Sequence, residues 1–399
     1  MPPHLAGREA ETNEFKRLLL QTTILENLIL TGLRGVGKTV LLERFKPAAM
    51  AEGWLWAGTD LSESMSITED NLSVRLLTDL SVVTSPIQLS MPKPPAHFRH
   101  GEVVLKQSLN YQGLRQIYDA TPGLAADKLK HVLEVVWSYL EKLERRGIVF
   151  AYDEAQNLSD HAAKEQYPLS LLLDVFQSIQ RKNIPFMLAL TGLPTLFPKL
   201  VEARTYAERM FRVVSLGPLS RAETREAIEK PINEAENCPI RFNEESLASI
   251  WETTRGYPYF IQYVCREVFD VWVQNAASGQ KPALVPADSI TRKLDSDFFA
   301  GRWAKTTDRQ RDLLNVVASL ENADSEFTVH DIVEQSTLLL EKPFSSSHAN
   351  QMLAALSDAG LVFKNRHGKY SFAVPLMGAF IRRQLDLTLP SVNDGSTTA

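Results

Sequence analysis

Short apolar blocks alternate with stretches of helical period through the first half of the chain. Residues 28–31, 54–57, 148–152, 186–191 and 212–216 are apolar runs of strand length. Between them, 9–21 places Phe15, Leu18 and Leu19 on one helical face, and 40–50, 72–83, 125–146 and 169–181 also read as helices, the third ending at Gly147. Strands alternating with helices predict an α/β fold: a parallel sheet with helices on both faces. After Pro218 the pattern changes. Residues 222–235, 244–253, 258–274 and 286–299 read as helices with no strand between them. From about Arg302 a third pattern begins: helices over 308–320, 329–334 and 346–359, then two short apolar runs, 361–363 and 370–372, around a turn at 365–368. That order predicts a winged helix. The expected organisation is an α/β core over 1–218, a helical domain over 219–300, a winged helix over 301–388 and a disordered polar tail over 389–399. There is no internal repeat.

Residues 85–123 interrupt the core pattern. Pro86, Pro92, Pro94 and Pro95 break regular structure, and His97, Arg99 and His100 add polarity. This stretch reads as a long inserted loop, either a plain surface excursion or an element that touches a partner or DNA.

Composition narrows the class. The chain has 399 residues, 44% of them apolar, enough to bury a core in each of two or three domains. Its net charge of −5 argues against a surface coated in phosphate-binding charge, while a local basic patch remains compatible with it. The two cysteines, Cys238 and Cys265, lack metal-ligand spacing and point to a reducing compartment. Met1-Pro2-Pro3-His4 lacks the features of a signal peptide, and no uncharged apolar run approaches membrane-spanning length. The expected location is the cytoplasm, with no membrane partner.

The sharpest chemical signal is at 32–39. Gly32, Leu33, Arg34, Gly35, Val36, Gly37, Lys38 and Thr39 form a complete phosphate-binding loop between an apolar strand and a helix that begins near Val40. Glycines let backbone N–H groups curl around a phosphate, and the new helix adds the positive end of its dipole. Lys38 is placed to reach the β- and γ-phosphates of ATP, and Thr39 to put its hydroxyl on Mg²⁺. Hydrolysis needs a second acidic site, which the apolar run 148–152 supplies by ending in Asp153-Glu154. Asp153 suits the hydration shell of Mg²⁺, and Glu154 suits the orientation or deprotonation of an attacking water. Thr191, at the end of another apolar run, is a candidate sensor of the γ-phosphate. Arg204, Arg209 and Arg212 cluster before the last run. An arginine there, Arg209 in the first instance, could act on the γ-phosphate of a neighbouring copy in a homo-oligomer; surface or structural ion pairs are the plainer alternative.

Together these residues resemble the AAA+ and STAND ATPases. Within them they look most like the branch shared by origin-recognition-type initiators and archaeal or bacterial STAND-like ATPases. The similarity covers 5–299, and the whole chain if the winged helix is included. Leu5-Ala6-Gly7-Arg8-Glu9 resembles the opening element of that branch, which implies that Gly7 and Arg8 line the adenine pocket. The loop 32–39 and Asp153-Glu154 match its two nucleotide motifs, and Thr191 stands where its first sensor stands. Glu208-Arg209 through Leu219 resembles the stretch that ends the core. Gly256-Tyr257-Pro258 resembles a G-x-P motif, which implies that Tyr257 and Pro258 approach the base and phosphates of ATP or ADP. Asp-Glu-Ala-Gln-Asn-Leu at 153–158 is similar to the corresponding string of bacterial transposition and secretion ATPases. Two features depart from the pattern. Initiators carry an arginine in the second-sensor helix, where this chain has Gly256-Tyr257-Pro258 preceded by Arg255, and the long repeat domain usual in STAND proteins is absent.

If 308–372 is a winged helix, its recognition helix is 346–359. Ser346, His348, Asn350 and Gln351 gather at its start, and Lys364, Arg366, His367 and Lys369 lie on the wing, with Arg382 and Arg383 beyond. Such side chains suit phosphates and base edges of double-stranded DNA. Residues 301–399 nonetheless hold 10 Lys+Arg against 11 Asp+Glu, about neutral where DNA-binding domains are usually basic, and a serine run before a helix is also good N-capping. Two functions therefore stand open: an ATP-controlled DNA-binding switch, and a signalling ATPase switch whose winged helix contacts a protein partner. A helicase reading of Asp-Glu-Ala-Gln is weaker, because no second nucleotide-binding core is present.

Overall fold

Each of the five apolar blocks of the first half becomes a strand, and two further strands lie between the second and third. In the computed structural model, which describes residues 4–61, 68–86, 88–92, 104–235, 238, 241–278, 285–366 and 368–388, these are β1 (Asn27–Thr31), β2 (Trp54–Ala57), β3 (Gln88–Pro92), β4 (Val104–Ser108), β5 (Gly147–Tyr152), β6 (Phe186–Gly192) and β7 (Phe211–Ser215). Five of them form a parallel sheet in the order β2-β5-β6-β1-β7. Burial explains their composition. All residues of β1, β5 and β6 are buried, so these strands read as unbroken apolar runs, whereas β2 and β7 at the edges keep partly exposed positions. Helices Glu9–Leu19, Lys38–Ala51, Glu69–Thr84, Ala125–Leu140 and Pro168–Arg181 accompany the sheet. Phe150 sits in the core edge-on to Phe176 and Phe186, at centroid distances of 5.0 and 5.8 Å.

A polar amide stands inside this apolar sheet. Asn27 begins β1, fully buried, and every polar atom of its amide is used. Its Nδ2 donates to Gln180 Oε1 (3.2 Å) and Met210 O (3.1 Å), and its Oδ1 accepts from Leu188 N (2.8 Å) and Gln180 Nε2 (2.9 Å). A buried amide with all partners supplied fixes the register of three neighbouring segments at once.

The stretch expected to be an inserted loop, 85–123, is regular in its described parts. β3 and β4 pair as an antiparallel hairpin, and a helix spans Tyr111–Ala120. Asn110 caps that helix by accepting from Gly113 N at 3.0 Å, while Leu114 and Tyr118, one turn apart, are buried in the core of the sheet unit. The neighbouring prolines obscure this helix in the sequence. Pro94, Pro95, His97, Arg99 and His100 lie outside the described residues, as does the tail 389–399. The helix expected over 125–146 stops at Leu140. A 3-10 turn, Glu141–Leu143, follows it, and Glu144 takes a left-handed conformation.

The chain divides into two compact units. One comprises mainly Arg8–Gly32 and Gly37–Leu216; the other comprises Pro3–Gly7, Leu33–Val36 and Gly217–Ala399. In the second, helices Arg221–Glu234, Glu244–Thr254, Pro258–Ala277 and Ala287–Leu294 lead into a π-helical turn, Asp295–Phe299, and a short helix, Ala300–Trp303. The helix expected over 286–299 therefore changes its hydrogen-bond period part-way. Helix Asp308–Ala318, β8 (Phe327–Thr328), helices Val329–Leu339 and Ser346–Asp358, β9 (Val362–Arg366), β10 (Lys369–Phe372) and helix Met377–Thr388 complete the unit. The three strands form an antiparallel sheet in the order β8-β10-β9. One apolar core joins the earlier and later helices of this unit, with Phe299 stacked between Phe260 (6.0 Å) and Phe380 (5.0 Å).

Candidate functional site at the ends of the parallel strands

The phosphate loop leaves the end of β1, and Gly37 (φ 98°) caps helix Lys38–Ala51 in a conformation that other residues rarely adopt. Lys38 is buried, and its Nζ donates to Gly32 O at 2.9 Å, so the ammonium lies within the curl of the loop. Thr39 and Val40 continue into the helix.

β5 carries Asp153 out of the sheet core onto the same edge. Its backbone is pinned to the segment that follows β2: Asp153 N donates to Thr59 O (3.2 Å), and its carbonyl accepts from Leu61 N (3.0 Å). The carboxylate is 4% exposed and shared by two hydroxyls. Thr39 Oγ1 donates to one oxygen and Thr191 Oγ1, fully buried at the end of β6, to the other. Glu154 N also donates to Asp153 Oδ1, at 2.8 Å. Three residues singled out from separate stretches of the sequence thus meet within hydrogen-bonding distance, and Lys38 immediately precedes one of them. The buried charge is stabilised by three donors.

Glu154 itself is exposed and takes a left-handed backbone conformation, φ 52° and ψ 35°, one that a non-glycine residue occupies only at a cost. Its carboxylate accepts from Gln156 Nε2. Gln156 was not anticipated as a site residue. Its Oε1 accepts from Leu193 N (3.1 Å), and its carbonyl accepts from Lys199 Nζ (2.6 Å). Burial lowers the Lys199 ammonium below its ordinary range, against the opposing influence of Asp160 and Glu202.

The three clustered arginines separate cleanly. Arg204 is bidentate to Asp174 (3.0 and 2.8 Å), which also accepts from Tyr206 OH (2.6 Å). These donors outweigh desolvation and hold the Asp174 carboxyl below its usual range. Arg212 pairs with Glu14 at 2.6 Å. Both are structural ion pairs. Arg209 lies on the short helix Ala207–Met210, is exposed, and among the described residues makes no ion pair.

Arg8 is buried at the start of the first helix and donates to Glu11 Oε1 at 3.2 Å, with Gly7 (φ 62°) before it. Tyr257 and Pro258 belong to the same unit as Leu33–Val36, and within that unit Tyr259 N donates to Gly35 O at 3.1 Å. Burial raises the Tyr257 phenol. Gly256 (φ 76°) is held by a bond from Leu219 N to its carbonyl at 2.7 Å, and a Cβ there would stand 2.0 Å from Leu219 O.

In the C-terminal part of the second unit, Ser346, Asn350 and Gln351 are exposed on helix Ser346–Asp358, and Asn350 turns back to Ser346 O at 2.8 Å. His348 packs against Phe344, with ring centroids 5.3 Å apart. Lys364 is exposed on β9 and Lys369 half-buried on β10. Arg366 ends β9; its side chain and His367 lie outside the described residues. Arg382 and Arg383 make ion pairs within the unit. Arg382 donates to Ala318 O (2.9 Å) and Asp324 (3.0 Å), and Arg383 is bidentate to Asp295 (2.8 and 2.5 Å), so both tie the helix Met377–Thr388 to its own unit.

The ADP form of the Aeropyrum pernix ORC2 protein matches with a TM-score of 0.57 at 15% identity, over 96% of this chain and 96% of that one. The ADPNP-ADP complexes of the same protein match with a TM-score of 0.53 at 13% identity, over 97% and 96%. The fold is AAA+. At such identity the likeness establishes architecture, and with it a P-loop core built on a five-stranded parallel sheet. A family profile described as a domain of unknown function (DUF8462) matches residues 296–381 of this chain, a segment that begins in the π-helical turn. No curated protein sequence matches. Among the described residues, no group of three or more His, Cys, Asp or Glu is placed to hold a metal, and no helix is long and apolar enough to cross a membrane.

Proposed function

We propose that this chain binds and hydrolyses ATP and uses the nucleotide to control binding to double-stranded DNA. The observation that carries the reading is the sharing of the Asp153 carboxylate by Thr39 and Thr191, with Glu154 next in sequence. It joins the phosphate loop, the acidic strand end and the sensor position in one hydrogen-bonded group. In the hydrolysis, water attacks the γ-phosphorus, the bond to the ADP oxygen breaks, and Glu154 orients the water and takes its proton. Lys38 and the loop amides hold the phosphates, and Thr191 reports on the γ-phosphate. Thr39 hydroxyl and Asp153 carboxylate oxygens are hard donors of the kind Mg²⁺ prefers, and one carboxylate plus nucleotide phosphates is its usual protein complement. When bound, that ion supplies charge neutralisation to the phosphates. The similar ORC2 protein is described with ADP and ADPNP, which supports ATP and ADP as the ligands. Gly7, Arg8, Tyr257 and Pro258 are the proposed adenine and phosphate contacts.

Helix, strand, two helices and a hairpin over Asp308–Phe372 support a winged helix. Its exposed Ser346, Asn350, Gln351 and Lys364 support contact with DNA phosphates and base edges. Exposed Arg209 is the proposed trans-acting arginine of a homo-oligomer, and the cytoplasm the proposed location.

The test is phosphate release by the wild type and Glu154→Gln, with nucleotide affinity measured on both. Loss of the general base is expected to slow turnover at least ~10²-fold while ATP still binds. Retained turnover in Glu154→Gln would move the base elsewhere. Anisotropy of duplex DNA with ATP-loaded Glu154→Gln then decides the partner: no binding at low salt would shift the reading to a protein partner.

A further inference from the structure

We infer that Gln156 is a positioning residue for hydrolysis, holding the Glu154 carboxylate against the loop that follows Thr191. The inference rests on the ATPase reading and deepens it. Among the described residues, Gln156 makes no hydrogen bond to the phosphate loop or to Asp153. Its amide has one orientation that satisfies both neighbours: the Leu193 N–H requires an acceptor, and the Glu154 carboxylate requires a donor. Its backbone is anchored separately, by Lys199 at 2.6 Å. The side chain therefore bridges one fixed point, Leu193 N, and the exposed Glu154 carboxylate. That group needs a bridge, because Glu154 is exposed and sits in a left-handed conformation that its own backbone does not favour.

Gly192 makes the bridge sterically feasible. A Cβ at this position would stand 2.7 Å from Gln156 Oε1, so any larger residue pushes the amide away from Leu193. Gly192 also pairs with Thr31 at the end of β1 and accepts from Gly32 N at 3.3 Å. Gln156 thus links the candidate base to the same strand end that carries Thr191 and meets the start of the phosphate loop.

Steady-state ATP hydrolysis by Gln156→Ala and Gln156→Glu, beside wild type and Glu154→Gln, tests this. Gln156→Ala should lower kcat roughly 10- to 100-fold with KM within about twofold of wild type, the pattern of a misplaced catalytic group. Gln156→Glu keeps the shape but removes the N–H donor that holds the Glu154 carboxylate. Its kcat should therefore fall at least as far as in Gln156→Ala, again with KM near wild type. A merely structural glutamine would tolerate this isostere without loss of kcat. Wild-type kcat in either variant, or a raised KM alone, would overturn the inference. If Glu154→Gln is inactive while both Gln156 variants match wild type, the inference alone fails; if wild type does not hydrolyse ATP, the ATPase reading fails with it.

Discussion

The two units of this chain treat polar side chains in opposite ways. At the end of the parallel sheet, Asp153, Thr191 and Lys38 are 4%, 0% and 7% exposed, and all three are hydrogen-bonded. In the C-terminal part of the second unit, Ser346, Asn350, Gln351 and Lys364 stand in solvent, and Asn350 bonds within its own helix. Low-dielectric surroundings strengthen each hydrogen bond and hold charge in one geometry, which phosphate chemistry requires. Exposed side chains keep rotamer freedom, which suits a surface that must adapt to a partner. On the proposed function, the buried polar group would hold the phosphates and the exposed one would meet the partner.

The largest expected effect tests the buried side. Lys38→Ala removes the cation from within the loop, and a desolvated charge pair broken on one side costs about 3 kcal/mol or more, roughly 10²-fold in affinity. Calorimetric titration with ATP is expected to show that loss. Equal affinity in wild type and Lys38→Ala would remove the lysine from the site and with it the contrast between the units.

A second effect, of about 2 kcal/mol, concerns the backbone of the second unit. Gly256 has φ 76° and no room for a Cβ, since Leu219 O would lie 2.0 Å away. Gly256→Ala must break the bond from Leu219 N or distort the left-handed turn. The unit's melting temperature should fall by roughly 4–8 °C, read by calorimetry or circular dichroism. An unchanged Tm would mean that this contact adapts freely, and that the unit is looser than its shared apolar core implies.

How far the sequence revealed these features follows from the same contrast. The five strands of the parallel sheet were legible because central parallel strands are buried on both faces and leave unbroken apolar runs. The loop at 32–39, Asp153 and Thr191 were legible because each ends such a run. Asn27 was not, since an asparagine before an apolar block looks like a turn residue until its three partners, up to 183 residues away, are in view. Gln156 was hidden similarly: its partner Leu193 is 37 residues distant. The helix Tyr111–Ala120 was masked by the prolines upstream, and β8 is two residues long, below any periodic signal. The pairing of Arg382 with Asp324 and of Arg383 with Asp295 spans 58 and 88 residues, so in the sequence these arginines read as free basic surface.

The smallest expected effect bears on the exposed side. With Arg382 and Arg383 committed to ion pairs, the described basic groups left on the hairpin are Lys364 and Lys369. If they contact phosphates, each releases about one counterion on binding duplex DNA, and each alanine substitution should lower the slope of log affinity against log salt by about 1. Affinity at one salt concentration should change modestly and by the same factor for unrelated DNA sequences, because a phosphate contact carries no base information. Substituting Asn350 or Gln351 should leave the slope unchanged and alter discrimination between sequences instead. A slope that persists in the double variant Lys364→Ala, Lys369→Ala would place the electrostatic contact off the hairpin. A wild-type slope near zero would mean that the exposed polar face of this unit is matched to a protein rather than to a polyanion.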